Sequence, residues 1–324
     1  MKSNILLVLS VFIGFFSQAQ DMRISQYNSV PILISPASTG DFEGSIRVSS
    51  SITSLMASLD QKNQFSNLSA EYKLGKEMKS TLGVTYSHSG AKGFSMTNDY
   101  YGLSASHLMY LDTKKINALR VGLLASYIVG NYRVSNSEYN PWLDTRSFFY
   151  YNPVDSGDLD VFNNKYMNFA TGISYTYRYN NIKFETKIGA YNIFNPKFNI
   201  IKMNNLKKRV RLSIENAFTI KINESNNVRI SHLSWQEGVY YRKAPTQKSD
   251  SLQISETIYG MDWTKNCKIP FSVGLFSRSM KSAFISVGGE FRKTFFAKIS
   301  YEIPFNRNYY NVSQFGLSLV YIKK

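Results

Sequence analysis

The sequence predicts an all-β protein: a transmembrane antiparallel β-barrel of about 14 strands (12–16), with an N-terminal extended segment capping the periplasmic side. Three observations predict it. Apolar and polar residues alternate with a period of two through most of the chain. The connections between these segments alternate between long and short. Aromatic residues are abundant, with 23 Tyr and 22 Phe in 324 residues, and tyrosine favours both strands and membrane interfaces.

In chain order, the first element is a leader. Met1 to Asn4 form a short charged region, Ile5 to Phe16 an apolar run, and Ser17, Gln18 and Ala19 a small-residue cleavage site. This is the pattern of a secretory signal peptide over residues 1–19, too short to span a bilayer. Residues 20–43 follow as a periplasmic lead-in, and 44–324 as the barrel. In the lead-in, Pro31 and Pro36 fence the apolar triplet Ile32, Leu33 and Ile34, and Gly40 closes the stretch. The prolines are expected to hold the triplet extended, so that it presses on the barrel rim and plugs its periplasmic mouth.

The strands come next. Between Met167 and Tyr179 one face carries Met, Phe, Thr, Ile and three Tyr, and the other Asn, Ala, Gly, Ser, Thr and Arg. Fourteen segments of this kind are expected: 44–54, 66–74, 80–88, 99–111, 117–129, 166–179, 182–192, 209–222, 227–242, 251–264, 270–279, 282–293, 295–304 and 313–322. The apolar phase slips near His232 and Leu233, which suggests a bulge, and again near Ile258 and Tyr259. Connections 55–65, 89–98, 130–165 and 193–208 are long, whereas 75–79, 112–116, 180–181 and 223–226 are short. An outer-membrane barrel shows this segregation, with tight periplasmic turns. Both termini then lie in the periplasm. A soluble β-sandwich explains the alternation equally well, but not tyrosine girdles formed by Tyr101, Tyr110, Tyr127, Tyr175, Tyr177 and Tyr179.

The charge is +16. Outside the cytoplasm nucleic acid is not the expected partner; the charge suits outer-membrane lipid, including lipopolysaccharide, or an acidic protein, and equally basic side chains lining a polar lumen or solvated loops. The polar face carries both signs, among them Arg47, Glu71, Lys73, Arg120, Arg178, Lys183, Glu185, Lys187, Arg211, Glu215, Arg278, Lys298 and Glu302, which suits a hydrated, cross-linked lumen. Catalytic chemistry is not evident. His88, His107 and His232 lie on different strands, and His107, after Ser104 and Ser106, is better explained as an interfacial histidine. No phosphate loop, zincin pattern or nucleophile elbow occurs. No enzyme activity, metal or cofactor is expected. The single cysteine, Cys267, precludes an intramolecular disulfide. The long connection 130–165 gathers Trp142, Phe148, Phe149, Tyr150 and Tyr151, with the acidic Glu138, Asp144, Asp155, Asp158 and Asp160 around them. It is either a loop folded over the barrel mouth or a protein-binding surface.

Several stretches together carry a resemblance. "ISQYNSVPILISPASTGDFEGSIRV" presents Ser25, Gln26, Tyr27, Pro31, Pro36, Ala37 and Gly40, with Ser35 where an asparagine is usual. "IGAYNIFNPKFNI" ends on Asn195 and Pro196, and "FSVGLFSRSMKSAFISVGGEFRKTFFAKISYEI" and "FGLSLVY" close the chain. This order and spacing resembles the PorP/SprF family of type IX secretion outer-membrane proteins. The resemblance implies a non-enzymatic barrel assisting the secretion and surface attachment of a partner that bears a C-terminal sorting domain, such as a gliding adhesin. It also implies contact with other type IX secretion components. The alternative is an outer-membrane diffusion pore or small-solute transporter.

Overall fold

A computed structural model describes residues 29–56, 62–75, 77–91, 96–133, 161–200, 203–207, 210–223, 225–240, 251–267, 270–279, 281–292, 294–305 and 313–323. Sixteen strands are seen among them: β1 (Ile46–Met56), β2 (Lys62–Leu74), β3 (Ser80–Ala91), β4 (Met96–Tyr110), β5 (Asn117–Arg133), β6 (Val161–Tyr179), β7 (Ile182–Tyr191), β8 (Lys197–Ile200), β9 (Met203–Lys207), β10 (Arg211–Asn223), β11 (Asn226–Tyr240), β12 (Ser251–Lys265), β13 (Phe271–Arg278), β14 (Ser282–Phe291), β15 (Phe295–Pro304) and β16 (Ser313–Lys323). Fourteen of them form a closed barrel in which each strand pairs antiparallel with its neighbours. β1 closes the cylinder against β16, with Ile46 opposite Lys323 and Met56 opposite Ser313. The other two, β8 and β9, make a separate hairpin. Closure leaves no open sheet edge, so the backbone polar groups are satisfied within the wall, as a hydrocarbon environment demands.

The alternation turns one face of every strand outward. Ile52, Leu68, Leu82, Val84, Leu103, Leu123, Ile173, Ile188, Leu275, Val287, Ile299 and Leu319 are exposed on the outside. Tyr101, Tyr110, Tyr127, Tyr177 and Tyr179 are exposed as well, while the Tyr175 hydroxyl donates to Asn117 Oδ1 at 2.6 Å. An apolar outer face with aromatics toward the strand ends is the dress of a membrane barrel. The lumen is polar: Arg47, Glu71, Arg120, Glu185, Lys187, Glu215, Arg278 and Glu302 are all buried there. Many are paired, as in the two-pronged contact of Arg278 with Glu302 at 2.9 and 3.2 Å.

Three expectations need correction. The strands reach further into the connections than the alternation shows: β2 begins at Lys62, β4 at Met96 and β6 at Val161. Ladder hydrogen bonds do not need an apolar side chain, so the strands extend past the apolar stripe. The 193–208 connection contains the β8–β9 hairpin. There is also no bulge at His232–Leu233 and no slip at Ile258–Tyr259. β11 and β12 pair without interruption from Asn226 opposite Lys265 to Tyr240 opposite Ser251. Leu233 and Ile258 are in phase and face inward. They are cross-strand partners, fully buried, and form an apolar patch on the lumen wall with Phe276 and Phe284. The register shift in this region is at Lys221/Asn223, beside the turn into β11.

Candidate functional site: the lumen segment

What Leu233 and Ile258 bury against is Ile34. Residues 29–43 lie inside the barrel, against its inner wall, before the chain enters β1. The triplet is not extended, as the prolines suggested. Pro31–Leu33 is one turn of 3-10 helix and Pro36–Ser38 another, each with proline at its first position. Proline is suited there, because its missing N–H is an orphan of any helix start and its φ is preset. Ile34 N–H donates to Pro31 O at 3.0 Å, and Ser38 N–H to Ser35 O at 2.9 Å. The curl sends the apolar side chains in two directions. Val30 and Ile32 pack with Leu124, Ala170 and Tyr191, and Ile34 with Leu233, Ile258, Phe276 and Phe284. The Phe276 and Phe284 rings stack with centroids 4.6 Å apart.

Close approach to the wall is permitted by glycines that the sequence reading passed over. Gly122, Gly172 and Gly189 are consecutive cross-strand partners on β5, β6 and β7, and Ser213 on β10 continues the row. A Cβ at Gly122 would stand 2.4 Å from the Pro36 and Ala37 backbone, one at Gly172 2.2 Å from Ser35 Oγ, and one at Gly189 2.4 Å from Ile34 O. Glycine inside a strand is the expected sign of another backbone lying against it, so three inward glycines in register were the available signal. Ser35 completes the seat. Its hydroxyl accepts from Ala37 N–H at 3.2 Å and donates to Ile188 O at 2.9 Å. The side chain that departs from the usual asparagine therefore still caps the second turn. Ser213 donates to Ile34 O, and Tyr191 to Ile32 O.

Charge fastens the C-terminal half of the segment. Gly40 N–H donates to Glu71 Oε2 at 2.7 Å, and Glu71 is held by Arg47 at 2.6 Å. Arg47 also donates to the Ser38 and Asp41 carbonyls, each at 3.3 Å. Ser106 and Arg120 donate to Thr39 O. Asp41 pairs with Lys187 at 2.9 Å, and Lys187 leads on to Glu215 at 3.6 Å and thence Arg229 at 2.8 Å. Burial pushes the Asp41 carboxyl up, but Lys187, Lys183 and Arg120 outweigh it and hold the group well below the usual carboxylate range. Phe42 lies under Arg47 and Lys73, whose charged groups stand 4.8 and 4.5 Å from its ring centroid.

Of the residues singled out in the sequence, Pro31, Pro36, Ala37 and Gly40 meet in this lumen site. Asn195 and Pro196 do not. They stand in the turn after β7, where Asn195 N–H donates to Asn192 O at 2.8 Å at a positive φ of 47°. Gln26, Tyr27, Trp142, Phe148, Phe149, Tyr150 and Tyr151 lie outside the described residues, as does the leader. Ser104 and Ser106 face the lumen, away from His107. The hydroxyl near His107 is Ser80, 2.9 Å from its Nδ1 on the outer surface, and among the described residues no carboxylate pairs with that imidazole. Nor do the described residues bring together three or more metal-ligating side chains.

The family described as type IX secretion system membrane protein PorP/SprF matches residues 16–321. The chain belongs to the PorP/SprF family. Membership makes this PorP/SprF chain a secretion-associated barrel of the outer membrane. No curated protein sequence matches it. Among solved structures, a Pseudomonas aeruginosa FadL homologue is similar with a TM-score of 0.53 at 8% identity, over 89% of this chain and 92% of that one. A deltaS2 mutant of the TodX monoaromatic hydrocarbon channel is similar with a TM-score of 0.52 at 8% identity, over 90% and 93%. At such identities the likeness is one of fold, that of a closed outer-membrane-type barrel.

Proposed function

We propose that this PorP/SprF barrel is a docking platform for a secreted protein rather than an open pore. Both termini face the periplasm, a signal peptide over residues 1–19 is removed, and the long loops face outward. These loops, with Trp142, Phe148, Phe149, Tyr150 and Tyr151, hold a partner bearing a C-terminal sorting domain, while other type IX secretion components deliver it. Residues 24–39 act as a plug. The observation that supports this is the seating of residues 29–43. An open pore has no use for an apolar triplet split between two wall clusters, a glycine row under its backbone and an ion-pair network at its exit.

The test is the surface proteome of a strain lacking the gene. One large secreted protein with a C-terminal sorting domain is expected to vanish from the surface while other outer-membrane proteins remain. An unchanged surface proteome would contradict the proposal. One observation favours the second reading, a small-solute pore. A cavity of about 520 Å³ remains beside the segment, lined by Ser29, Asp41, Ser272, Lys298 and Ser318 among others. Steady channels formed by the intact chain would support that reading.

A further inference from the structure

The end of the barrel that carries the short turns holds a broken ring of cations. Lys79 lies in the β2–β3 turn and Lys114 and Lys115 in the β4–β5 turn. Lys265 ends β12, Arg292 lies between β14 and β15, and Lys323 ends β16; Arg178, Lys183 and Lys221, near the β6–β7 and β10–β11 turns, stand on the lumen face of their strands and do not belong to the ring. Backbone hydrogen bonds join these pieces into one rim: Leu108 N–H to Lys79 O, Arg178 N–H to Ile116 O, Lys221 N–H to Asn181 O, Ile322 N–H to Thr294 O, Ser45 N–H to Lys323 O, and Lys73 N–H to Ser45 O.

Several acids at this rim are already engaged, though Glu43 before β1 and Glu290 at the end of β14 are not among them. Glu77 pairs with Lys79, and Glu185 with Lys183. The Asp112 carboxylate accepts the Ile116 and Asn117 N–H groups of its own turn. Among the described residues no carboxylate pairs with Lys114, Lys115, Arg178, Lys221, Lys265, Arg292 or Lys323. At the opposite end the longest connection is acidic, with Glu138, Asp144, Asp155, Asp158 and Asp160, while the 193–208 connection is basic, with Lys197, Lys202, Lys207 and Lys208.

Depth identifies the anion. Tyr110, Tyr179, Phe291 and Phe295 are exposed on the outer face at the same end, the level at which aromatic girdles meet lipid headgroups. The Lys115 ammonium stands 5.4 Å from the Tyr110 ring centroid, and the Arg292 guanidinium 5.3 Å from that of Phe291. Long basic side chains at this depth reach the headgroup layer. The outward cations follow the turns from β12 through β16 and on to β5 instead of crowding one loop, which matches an annulus of lipid and not the footprint of one protein.

We propose that this ring binds the phosphate groups of anionic phospholipids in the leaflet that surrounds the short-turn end. Which leaflet that is rests on the orientation proposed above; the binding itself does not. The test uses the full mature chain, purified in a neutral detergent and titrated with phosphatidylglycerol, phosphatidylcholine or lipid A, with bound lipid counted by native mass spectrometry. Phosphatidylglycerol is expected to bind at least ~10-fold more tightly than phosphatidylcholine, since each basic residue near an anionic surface contributes about fivefold, and to weaken with salt. The quadruple variant Lys115→Gln, Lys265→Gln, Arg292→Gln, Lys323→Gln should lose that preference. A control quadruple in the opposite connections, Lys202→Gln, Lys207→Gln, Lys243→Gln, Lys248→Gln, should keep it. Equal binding of phosphatidylglycerol and phosphatidylcholine by the unaltered chain overturns the proposal whether or not the variant folds. A ring-dependent preference for lipid A over phosphatidylglycerol overturns the leaflet assignment, and the orientation with it, while leaving the cation ring as the site.

Discussion

The wall glycines and Ser35 are the residues on which the lumen site turns. A side chain at Gly172 would overlap Ser35 Oγ and approach Pro36 Cδ at 2.9 Å, so Gly172→Leu should expel the segment while leaving the ladder of β6 intact. The expected result is new protease cleavage between residues 29 and 45, in a barrel that still migrates as folded in an unheated gel. At Ser35 the side chain is fully buried and caps the second turn. Ser35→Ala should cost about 1 kcal/mol in thermal unfolding, and Ser35→Asn much less, since asparagine caps equally well. Glu71 holds both Gly40 N–H and Arg47, and Glu71→Ala leaves a buried guanidinium unpaired, a loss of about 3–5 kcal/mol by chemical unfolding. Asp41 sets the pH response. Because its carboxyl titrates below the unfolded value, its contribution is present above the ordinary carboxylate range and is lost as pH falls through the lowered folded value. Protease resistance of the segment should therefore be unchanged from neutral pH to the carboxylate range and fall only in stronger acid. Asp41→Asn should be less resistant at neutral pH and lose less of its resistance in strong acid than the unaltered chain does.

At the scale of the elements, the strands were legible because a two-residue period is a direct consequence of a wall with oil outside and water inside. All fourteen segments appear in the barrel. The misreadings share one cause. Leu233, Ile258, Phe276 and Phe284 are apolar residues on the polar face, and within a single strand that looks like a slipped phase. Only the presence of Ile34 across the lumen makes them regular. The curled form of Pro31–Leu33 was hidden for a similar reason. A proline permits both an extended chain and the first position of a short helix, and the choice is made by Val30, Ile32 and Ile34 finding separate clusters. The inward glycines Gly122, Gly172 and Gly189 were each readable on a polar strand face, but that they form one row follows only from strand register. Removal of residues 24–39 should then expose the Leu233–Phe284 patch to lumen water and lower the unfolding temperature of the barrel. An unchanged temperature would mean that the segment is a passenger.

The whole molecule combines a membrane-facing exterior, a charged lumen and an internal segment that continues without a break into the first strand. Its charge is patterned, with outward cations along the short-turn rim and acidic residues in the longest loop. Such polarity suits a barrel that is fixed in one leaflet by lipid and presents its other end to a partner. Single-channel recording in planar bilayers tests most directly whether the lumen is closed by the chain itself. The intact protein should show no steady conductance, and both the chain lacking residues 24–39 and the Gly172→Leu variant should open large, stable channels. Large steady channels from the intact protein, or no change on removing the segment, would contradict the assignment of residues 24–39 as a plug.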